Sequence, residues 1–312
     1  MDTARTDRKP LVESGQIEHH VADLSATFAA DVTLASAQTK LRASNQWLPI
    51  DGDPNATLGS LVERNSTGPL RLGFGAWRDL LLGAQFTNGA GELITAGGRT
   101  VKNVAGYDLT KFMVGQYGIF GKLVTLTTRT YKAPEHALVA MFDPDVKTLN
   151  TLLTTPCRPQ WAVLTTDALR CGYLGDRVTI DFYERSVPQY QAREVVRHTL
   201  DDDIAVRARL WQARSFRASV PPSRIAEFVR MSGVTDWSAD AAFGVLIGAC
   251  PTNARDALHK AAGIAGGSAI FFDDSGTVEN LLLDAGVSSL IHRLKASFDP
   301  DGKLSPLPVR AS

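Results

Sequence analysis

The chain has 312 residues, which is enough for two domains that each bury a hydrophobic core. Apolar residues make up 44% of it and charged residues 21%, so its composition is that of a globular protein and excludes a disordered chain. Its formal net charge is +0, which excludes the broad positive field that attracts nucleic acid or an anionic membrane surface.

The cysteines, the histidines and the N-terminal residues limit the cellular compartments and the kinds of metal site that the sequence allows. Cys157, Cys171 and Cys250 are far apart and form no CxxC pair, so we expect thiols in a reducing compartment and no cysteine-ligated iron–sulfur cluster within this chain. The histidines show no metal-ligand spacing, so no metal site is predicted. Residues 1–10 are polar, and the longest apolar run, near residues 241–250, is too short to cross a bilayer. The sequence favours a cytoplasmic protein, at most peripheral on a membrane through a partner.

The first third of the chain predicts a mixture of strands and helices. Residues 1–20 are expected to be disordered or loosely held. The hydroxyl of Thr33 is a plausible N-cap for a helix. Residues 77–98 predict a hairpin around an Asn-Gly pair. The pair Arg78-Asp79 within it could be functional, but a surface pair at the start of the first strand is favoured.

Residues 123–134 begin with a threonine-rich strand and end at a proline, after which strand-like and helix-like runs alternate as far as residue 286. Among them, residues 177–183 are predicted as a strand and residues 187–200 as a helix. The alternation indicates an α+β region, a sheet with helices on one face. Residues 287–312 begin with an amphipathic helix and continue into a turn.

The segment Gly97–Gly121, GGRTVKNVAGYDLTKFMVGQYGIFG, is unlike the sequence around it. Glycine adopts backbone angles closed to other residues and lets another backbone or a ligand come close. A core segment would not need the cations that stand between these glycines, and a solvated loop would not need so many glycines. The pattern suits a backbone folded tightly against a large, flat, partly anionic ligand. Lys102 and Asn103 are the side chains most readily assigned to face that ligand, because packing needs neither.

A second glycine-bearing segment, Pro54–Gly75, has the sequence PNATLGSLVERNSTGPLRLGFG. Gly59 would let backbone amides approach a ligand, and Leu58 would supply an apolar surface. Short polar side chains follow at Asn65 and Ser66, and glycines suited to turns follow at Gly68 and Gly75. Taken alone, this segment is better interpreted as ordinary surface turns.

The wording KNVAGYDLTKFMVGQYGIFG strongly resembles the second flavin-contacting region of the vanillyl-alcohol-oxidase (PCMH-type) FAD-binding family, and is closest to the FAD-binding subunits of bacterial glycolate oxidases. The strand QWLP, the turn NSTGP and the tail FDPDGKLSP also match that family in order, which favours the ligand-binding interpretation of both glycine segments. The resemblance implies an α+β fold with an N-terminally truncated PCMH-type FAD-binding domain over residues 21–134. A small α+β cap domain would follow over residues 135–286. The C-terminal helix and tail, residues 287–312, would pack back on the FAD domain.

The resemblance implies FAD as the cofactor and a set of contacts to it. These are Leu58, Gly59, Asn65, Ser66, Gly68, Gly75, Lys102, Asn103, Gly106, Tyr107, Asp108, Gly118 and Leu123. Two alternatives stay open, since Asp108 is equally suited to cap a short helix and Tyr107 to fill a core. Arg217 could hold a substrate carboxylate, although a surface ion pair is the simpler role. No catalytic residue or general base can be named.

One expected part of this family is missing. Its members begin with a lobe that ends in a glycine-rich loop of the type RGGGT, which holds the FAD pyrophosphate, and nothing before Ala22 has that composition. The start of the chain could be fragmentary, a partner chain could supply the anion site, or tight flavin binding could have been lost. The family glycine near the end of the first strand is replaced by Asp31, and Ser305 and Leu307 replace the asparagine and glycine of the family ending.

The resemblance therefore implies a flavin-dependent oxidoreductase subunit. It would act on a small 2-hydroxy acid such as glycolate, beside a larger catalytic flavoprotein subunit and an iron–sulfur subunit. The alternative is a non-catalytic assembly subunit that keeps the fold but binds FAD weakly or not at all. The substrate, the electron acceptor and the stoichiometry of the complex are left open by the sequence.

Overall fold

The computed structural model describes residues 5–7, 9–98, 108–212, 215–272, 278–279 and 285–307. Helices and strands are interspersed along the chain, and the predicted α+β class is confirmed. The strands are β1 (Arg5–Asp7), β2 (Ile17–His20), β3 (Ser25–Ala29), β4 (Gln46–Trp47), β5 (Leu81–Thr87), β6 (Leu93–Gly97), β7 (Lys122–Arg129), β8 (Tyr131–Lys132), β9 (His136–Phe142), β10 (Trp161–Leu164), β11 (Leu169–Gly175), β12 (Glu194–His198), β13 (Phe216–Ser219), β14 (Asp236–Asp240), β15 (Val245–Ala249), β16 (Ser268–Phe272) and β17 (Val278–Glu279). The α-helices are α1 (Leu34–Arg42), α2 (Leu58–Glu63), α3 (Arg71–Phe74), α4 (Trp77–Leu80), α5 (Leu109–Phe112), α6 (Val146–Leu153), α7 (Arg177–Ser186), α8 (Leu200–Leu210), α9 (Ile225–Ser232), α10 (Arg255–Ile264) and α11 (Ala285–Phe298).

The chain divides into two compact units. Unit 1 consists of Met1–Thr67, Gly75–Ala133 and Leu283–Leu307, and unit 2 consists of Gly68–Phe74, Pro134–Leu282 and Pro308–Ser312. Unit 1 therefore contains most of the region predicted to bind FAD, and unit 2 most of the predicted cap region. The segment Gly68–Phe74 departs from the expected boundaries, because Leu72 packs into the hydrophobic core of unit 2.

Unit 1 is built on a six-stranded antiparallel sheet with the order β1-β6-β5-β7-β3-β2. The hairpin predicted over residues 77–98 supplies β5 and β6, whose register pairs Gly83 with Gly97 and Thr87 with Leu93. The predicted threonine-rich strand is β7, which lies between β5 and β3. The largest side chains of the core include Phe28, Leu41, Trp77, Phe86 and Leu126.

The described part of residues 1–20, expected to be loosely held, is instead tied into this sheet. It supplies both edge strands, β1 beside β6 and β2 beside β3. The connection over residues 9–16 must therefore cross the sheet, and the amide of Leu11 donates to Oε1 of Gln85 at 2.7 Å while Val12 is buried. The backbone groups at the outer edges of β6 and β3 pair with this polar segment. Amino-acid composition does not predict such pairing.

Asp31 holds the connection over residues 9–16, here called the crossing segment, through two hydrogen bonds. Its carboxylate accepts hydrogen bonds from the Ser14 hydroxyl and from the Gly15 amide, the latter at 3.0 Å. The Ser14 bond and then the Gly15 bond hold the pKa of the Asp31 carboxyl below its ordinary value. The Asp31 carboxylate thus binds the chain's own N-terminal segment.

Side-chain caps begin the short helices of unit 1. Thr33 Oγ1 accepts from the Ser36 amide at 3.2 Å at the start of α1, which confirms the predicted N-cap. Asp79 was expected in a surface pair at the start of a strand. It lies instead in α4, where its carboxylate accepts from the Ala76 amide at 2.8 Å, and β5 begins only after that turn of helix.

The C-terminal helix α11 packs within unit 1. The ring of Phe298 stacks on Phe112 with their centroids 5.5 Å apart. The rings of Phe120 and Phe86 lie 5.9 and 6.4 Å from the same side chain. Aromatic pairs in these arrangements add to the stabilisation that burial gives, so the helix is fixed to the sheet and to the segment before β7.

Unit 2 is built on a nine-stranded antiparallel sheet with the order β12-β9-β11-β10-β14-β15-β13-β16-β17. Helices α6, α7, α9 and α10 contribute to one core, whose central side chains include Leu149, Ile180, Phe228 and Leu258. Because side chains alternate along a strand, Trp161 faces away from that core when Ala162 faces into it. Nε1 of Trp161 donates to Asp203 of α8 at 2.8 Å, and Arg207 pairs with Asp203 at 2.9 Å. The prediction of helices on one face only is wrong for α8.

The strand predicted over residues 177–183 is also wrong, because these residues lie in α7. Asp176 caps the helix by accepting from the Thr179 amide at 2.8 Å. Ile180 is fully buried while Val178 is 76% exposed, so the burial follows a helical and not an alternating pattern.

The helix predicted over residues 187–200 is likewise wrong. A 3-10 turn over Val187–Tyr190 ends at Gln191, whose φ of 65° lies in the left-handed region. The chain then forms β12, which pairs with β9 and is the edge strand of the sheet. Pairing with β9 therefore makes residues 194–198 a strand, although their composition suits a helix.

Candidate functional site

The predicted cofactor contacts are divided between the two units, and some lie outside the described residues. Lys102, Asn103, Gly106 and Tyr107 fall in residues 99–107, which the structure does not describe. The predicted contacts in unit 1 that the structure does describe are Leu58, Gly59, Asn65, Ser66, Gly75, Asp108, Gly118 and Leu123. Gly68 and the proposed substrate contact Arg217 lie in unit 2.

The two glycine-bearing segments meet within unit 1. The amide of Gly115 donates to the carbonyl of Val62 at 3.0 Å, and the amide of Tyr117 donates to the carbonyl of Glu63 at 2.9 Å. The amide of Leu123 donates to Oε1 of Glu63 at 3.2 Å. Burial raises the pKa of the Glu63 carboxyl, against the opposing effect of the Leu123 hydrogen bond. The C-terminal end of α2 is thus bonded directly to the segment between α5 and β7.

Gly59 and Leu58, however, are explained by packing within unit 1. A Cβ on Gly59 would lie 2.9 Å from both the Cβ and the carbonyl oxygen of Ala30, and its amide donates to that oxygen at 2.8 Å. The amide of Leu58 donates to Val32 at 2.8 Å, and its side chain is fully buried. Glycine is needed here so that α2 can dock on the chain after β3, and the amides predicted to approach a ligand are already occupied.

Asn65, Ser66 and Gly75 each have a conformation or contact that unit 1 itself explains, and of the three only Asn65 lies in a turn. Asn65 has a φ of 48°, a left-handed conformation that asparagine tolerates, just after α2. The carbonyl of Ser66 accepts from Nε1 of the fully buried Trp77 at 2.9 Å. Gly75 has a φ of 87°, and a Cβ there would lie 2.7 Å from the Cβ of Asp79. These contacts are internal to unit 1, so a cofactor contact at these three residues stays a prediction.

The loop over residues 115–121 is closed by its own backbone and by one buried amide. Tyr117 and Gly118 have φ values of 55° and 75°. The side chain of Gln116 donates from Nε2 to the Gly121 carbonyl and accepts at Oε1 from the Phe120 amide, both at 3.0 Å. Gln116 was not among the predicted site residues, although a lone amide within a glycine run is a signal for such a brace.

An open glycine surface lies at the end of β6. A Cβ on Gly98 would have no atom within 4 Å among the described residues, and Gly98 directly precedes residues 99–107. The hydroxyl of Thr110 lies against Gly97, 2.6 Å from the position a Cβ would take there. Thr110 is buried, and within the described parts of the chain its hydroxyl has no hydrogen-bond partner. A side-chain-free surface beside an unsatisfied buried hydroxyl is suited to a ligand. Neither Gly98 nor Thr110 was a predicted contact.

Asp108 caps α5, as one of its two predicted roles required. Its Oδ1 accepts from the Lys111 amide at 3.1 Å, and Oδ2 lies 3.4 Å from Nζ of the same lysine. The cap is confirmed, whereas a flavin contact by this carboxylate stays a prediction.

Two of the predicted site residues, Gly68 and Arg217, lie in unit 2. The carbonyl of Gly68 accepts from the Arg71 amide at 3.0 Å, and the Arg71 guanidinium lies 4.1 Å from the centre of the Phe243 ring. Arg217 is half-buried on β13, which lies between β15 and β16. Its contact with a substrate stays a prediction.

Unit 2 also contains a cavity of about 310 Å³ beside its edge strand. The cavity is lined by residues of β9, β11, β12 and α8, and none of the predicted site residues is among them. Its lining residues are Val139, Met141, Arg170, Glu194, Val196, His198, Val206, Arg209 and Leu210. Of the two arginines that line the cavity, Arg170 is ion-paired with Asp167 at 2.7 Å.

Other kinds of site have no support in the described residues. Across residues 5–7, 9–98, 108–212, 215–272, 278–279 and 285–307, no three His, Cys, Asp or Glu side chains gather as metal ligands would. Over the same residues, no helix combines the length and apolarity needed to cross a bilayer. Cys157 and Cys171 are buried free thiols and Cys250 is a half-buried one.

Comparison with curated proteins links the chain to flavin-linked oxidoreductases, although no protein-family model matches it. It is 33% identical over 127 residues to glycolate oxidase subunit GlcE of Escherichia coli, covering 40% of this chain and 36% of that protein. It is 28% identical over 129 residues to the mitochondrial D-lactate dehydrogenase [cytochrome] of Arabidopsis thaliana, covering 41% and 23% of the two chains. An FAD-linked oxidoreductase of Mycobacterium tuberculosis, Rv2280, is 29% identical over 106 residues, or 34% and 22% of the two chains. The matches thus span no more than 36% of the length of these relatives.

Comparison with solved structures supports the fold alone. Alkyldihydroxyacetonephosphate synthase superposes with a TM-score of 0.62 over 89% of this chain and 63% of that one, at 13% identity. The sequence matches confirm the predicted resemblance to glycolate oxidase subunits and related FAD-linked oxidoreductases.

Proposed function

We propose that this chain is an FAD-binding subunit of a flavin-dependent 2-hydroxy-acid oxidoreductase of the glycolate oxidase kind. The observation that carries the proposal is the surface at Gly98, where no described atom lies within 4 Å of a Cβ, together with the buried Thr110 hydroxyl next to Gly97, which has no partner among the described residues. This surface directly precedes the segment that contains Lys102 and Asn103. The sequence match to GlcE supports the reaction class.

The residues present fit a flat, partly anionic cofactor. Gly98 offers a surface without side chains, since no described atom lies within 4 Å of a Cβ there, whereas Gly97 is packed against the Leu82 carbonyl and the Thr110 hydroxyl. Oγ1 of Thr110, which has no described partner, can donate or accept a hydrogen bond next to Gly97. The 115–121 loop, braced by Gln116, is a second wall in this proposal. When bound, FAD supplies the redox chemistry. Lys102 is proposed to place a positive charge near the cofactor, and no catalytic base is assigned.

The remaining parts of the function are proposals from the relatives. GlcE is named as a subunit of glycolate oxidase, so we propose that this chain works beside a larger catalytic flavoprotein subunit and an iron–sulfur subunit. The absence of a CxxC pair from the sequence supports electron transfer through such a partner. We propose a cytoplasmic complex, at most peripheral on a membrane. Its substrate would be a small 2-hydroxy acid.

One observation favours a second candidate, a non-catalytic assembly subunit. The amide of Gly59, which we predicted to approach the cofactor, donates to Ala30 instead, and the Leu58 side chain, predicted to supply an apolar surface, is fully buried. Fewer backbone donors are then available to FAD than the resemblance implied, which would weaken its binding.

A titration of the purified chain with FAD separates the two candidates. We expect a flavin absorption spectrum that saturates at one FAD per chain. Gly98→Leu should abolish uptake by filling the open surface. The matched control is Gly263→Leu, because Gly263 also has no described atom within 4 Å of a Cβ and lies in α10 of unit 2.

Uptake of FAD by Gly263→Leu but not by Gly98→Leu would support the proposed site. A wild-type chain that takes up no FAD would reject the flavoprotein function and favour the assembly subunit. Equal uptake by both variants would show that the site lies elsewhere.

A further inference from the structure

One lysine of the C-terminal segment of unit 1 links α11 to the 115–121 loop. Nζ of Lys295 donates to the carbonyl of Ile119 at 3.0 Å, to the carbonyl of Ser305 at 2.9 Å and to Oδ2 of Asp299 at 2.6 Å. An ammonium group has three donors, so these acceptors use all of them. Only 15% of the lysine side chain is exposed. Lys295 therefore joins α11, the tail after it and the loop at a single atom.

Asp299 fixes the tail in the position that Lys295 needs. Its side chain is fully buried, and its two oxygens also accept from the amides of Lys303 at 2.7 Å and Leu304 at 2.9 Å. Desolvation raises the pKa of the Asp299 carboxyl, but the Lys295 ammonium and the two amides outweigh it, and the net shift is downward. The aspartate is therefore an ionised partner for Lys295.

Glycines on the facing segments leave room for this arrangement. A Cβ on Gly89, in the β5–β6 turn, would lie 2.2 Å from Oδ1 of Asp299, and the Gly89 amide donates to the Phe298 carbonyl at 2.9 Å. A Cβ on Gly118 would lie 2.6 Å from Oγ of Ser305, whose amide donates to the Gly118 carbonyl at 3.2 Å. The loop is thus bonded to the tail at Gly118 and to Lys295 at Ile119.

We propose that Lys295 is a positioning residue that holds the 115–121 loop in the conformation that receives FAD. The inference rests on the proposed function, since it assigns a role to a residue that need not touch the cofactor. The end of α2 holds the loop at Gly115 and Tyr117, and the hydrogen bond from Lys295 holds it at Ile119. Without Lys295, the loop would stay bonded to α2 at Gly115 and Tyr117 but would lose its hydrogen bond at Ile119, on the other side of the left-handed Gly118.

The test is a comparison of Lys295→Met with Arg293→Met. Both changes remove a cation from α11, but Arg293 is exposed and the structure gives it no role in the loop. We expect Lys295→Met to raise hydrogen exchange in residues 115–121 and to weaken FAD binding on the order of 10-fold, as for loss of a charged hydrogen bond. Exchange in β5 and β7 should stay unchanged. Arg293→Met should match the wild type, and Lys295→Arg should recover part of the affinity.

A second variant covers a failure to fold, because Lys295→Met leaves the buried Asp299 without its cation. Lys295→Met/Asp299→Asn removes both charges and should show the same local increase in exchange. Unchanged exchange in residues 115–121 in these variants would overturn the proposal. So would raised exchange with unchanged FAD affinity. A wild type that binds no FAD would reject the proposed function and the role in binding, whereas the exchange comparison would still decide whether Lys295 fixes the loop.

Discussion

Two glycine surfaces of unit 1 differ in what lies against them. At Gly59 the neighbour is the backbone of Ala30, which leaves no space for a side chain and takes the glycine amide as a donor. At Gly98 no described atom lies within 4 Å of a Cβ, and the Thr110 hydroxyl next to Gly97 has no hydrogen-bond partner among the same residues. A glycine pressed against its own fold serves packing, whereas a glycine that faces open space can serve a ligand. The comparison separates a glycine that packing requires from one that the described residues leave accessible, a difference that composition does not show.

The largest expected effect comes from Gly59→Val. The added atoms meet the Ala30 backbone, which cannot move aside as a flexible side chain can. We expect the free energy of unfolding to fall by about 1–3 kcal/mol. Urea denaturation followed by circular dichroism measures it, with Gly263→Ala as a control expected to be neutral or stabilising in its helix. A Gly59→Val protein as stable as the wild type would contradict the claim that packing against Ala30 requires glycine at this position.

Thr110→Val tests the other side of the comparison. It removes an unsatisfied buried hydroxyl at nearly constant volume, so the free energy of unfolding should be unchanged or higher. FAD affinity should fall by about 10-fold if the hydroxyl bonds the cofactor. Thr128→Val is the matched control, because Thr128 on β7 is also buried with a hydroxyl that lacks a described partner. Equal FAD affinity in the two variants would exclude Thr110 from the site.

Gly118 and Ser305 should be coupled by about 0.5–1 kcal/mol, because a Cβ at Gly118 meets the serine hydroxyl. Gly118→Ala should destabilise unit 1 both through this contact and through its φ of 75°. Ser305→Gly should relieve only the contact. A double-mutant cycle in urea measures the coupling, and strictly additive effects would show that the tail does not restrict the loop.

The smallest expected effect is at Asp31, which is exposed. Its pKa is depressed in the folded state, so its hydrogen bonds stabilise the crossing segment at neutral pH and this contribution is lost as pH falls below about 4. Limited proteolysis within residues 9–16 should therefore increase at acid pH. Asp31→Asn should cleave more readily at neutral pH and lose the pH dependence. Identical cleavage of both proteins at every pH would contradict this role.

Local signals in the sequence predicted part of this fold correctly. The Asn-Gly pair, the Thr33 cap and the Asp108 cap depend on neighbouring residues, and each forms as predicted. The amphipathic C-terminal helix also forms, with Phe298 on its packed face. Such signals need no knowledge of distant strands.

Predictions failed where a distant strand decided the outcome. Residues 17–20 and 194–198 become edge strands because β3 and β9 offer unpaired backbone groups. The neighbour of Gly59 is likewise set by the path of the chain after β3, which composition does not reveal. Thr110 could not be singled out from sequence, because its hydroxyl stands out only through the lack of a partner among the described residues.

Hydrogen exchange of the wild-type chain with and without FAD tests the central claim most directly. If unit 1 binds the cofactor at its glycine surface, FAD should slow exchange in peptides that cover β6 through residue 121 and leave the strands of unit 2 unchanged. Slowed exchange confined to unit 2, or no change anywhere at saturating FAD, would contradict the account.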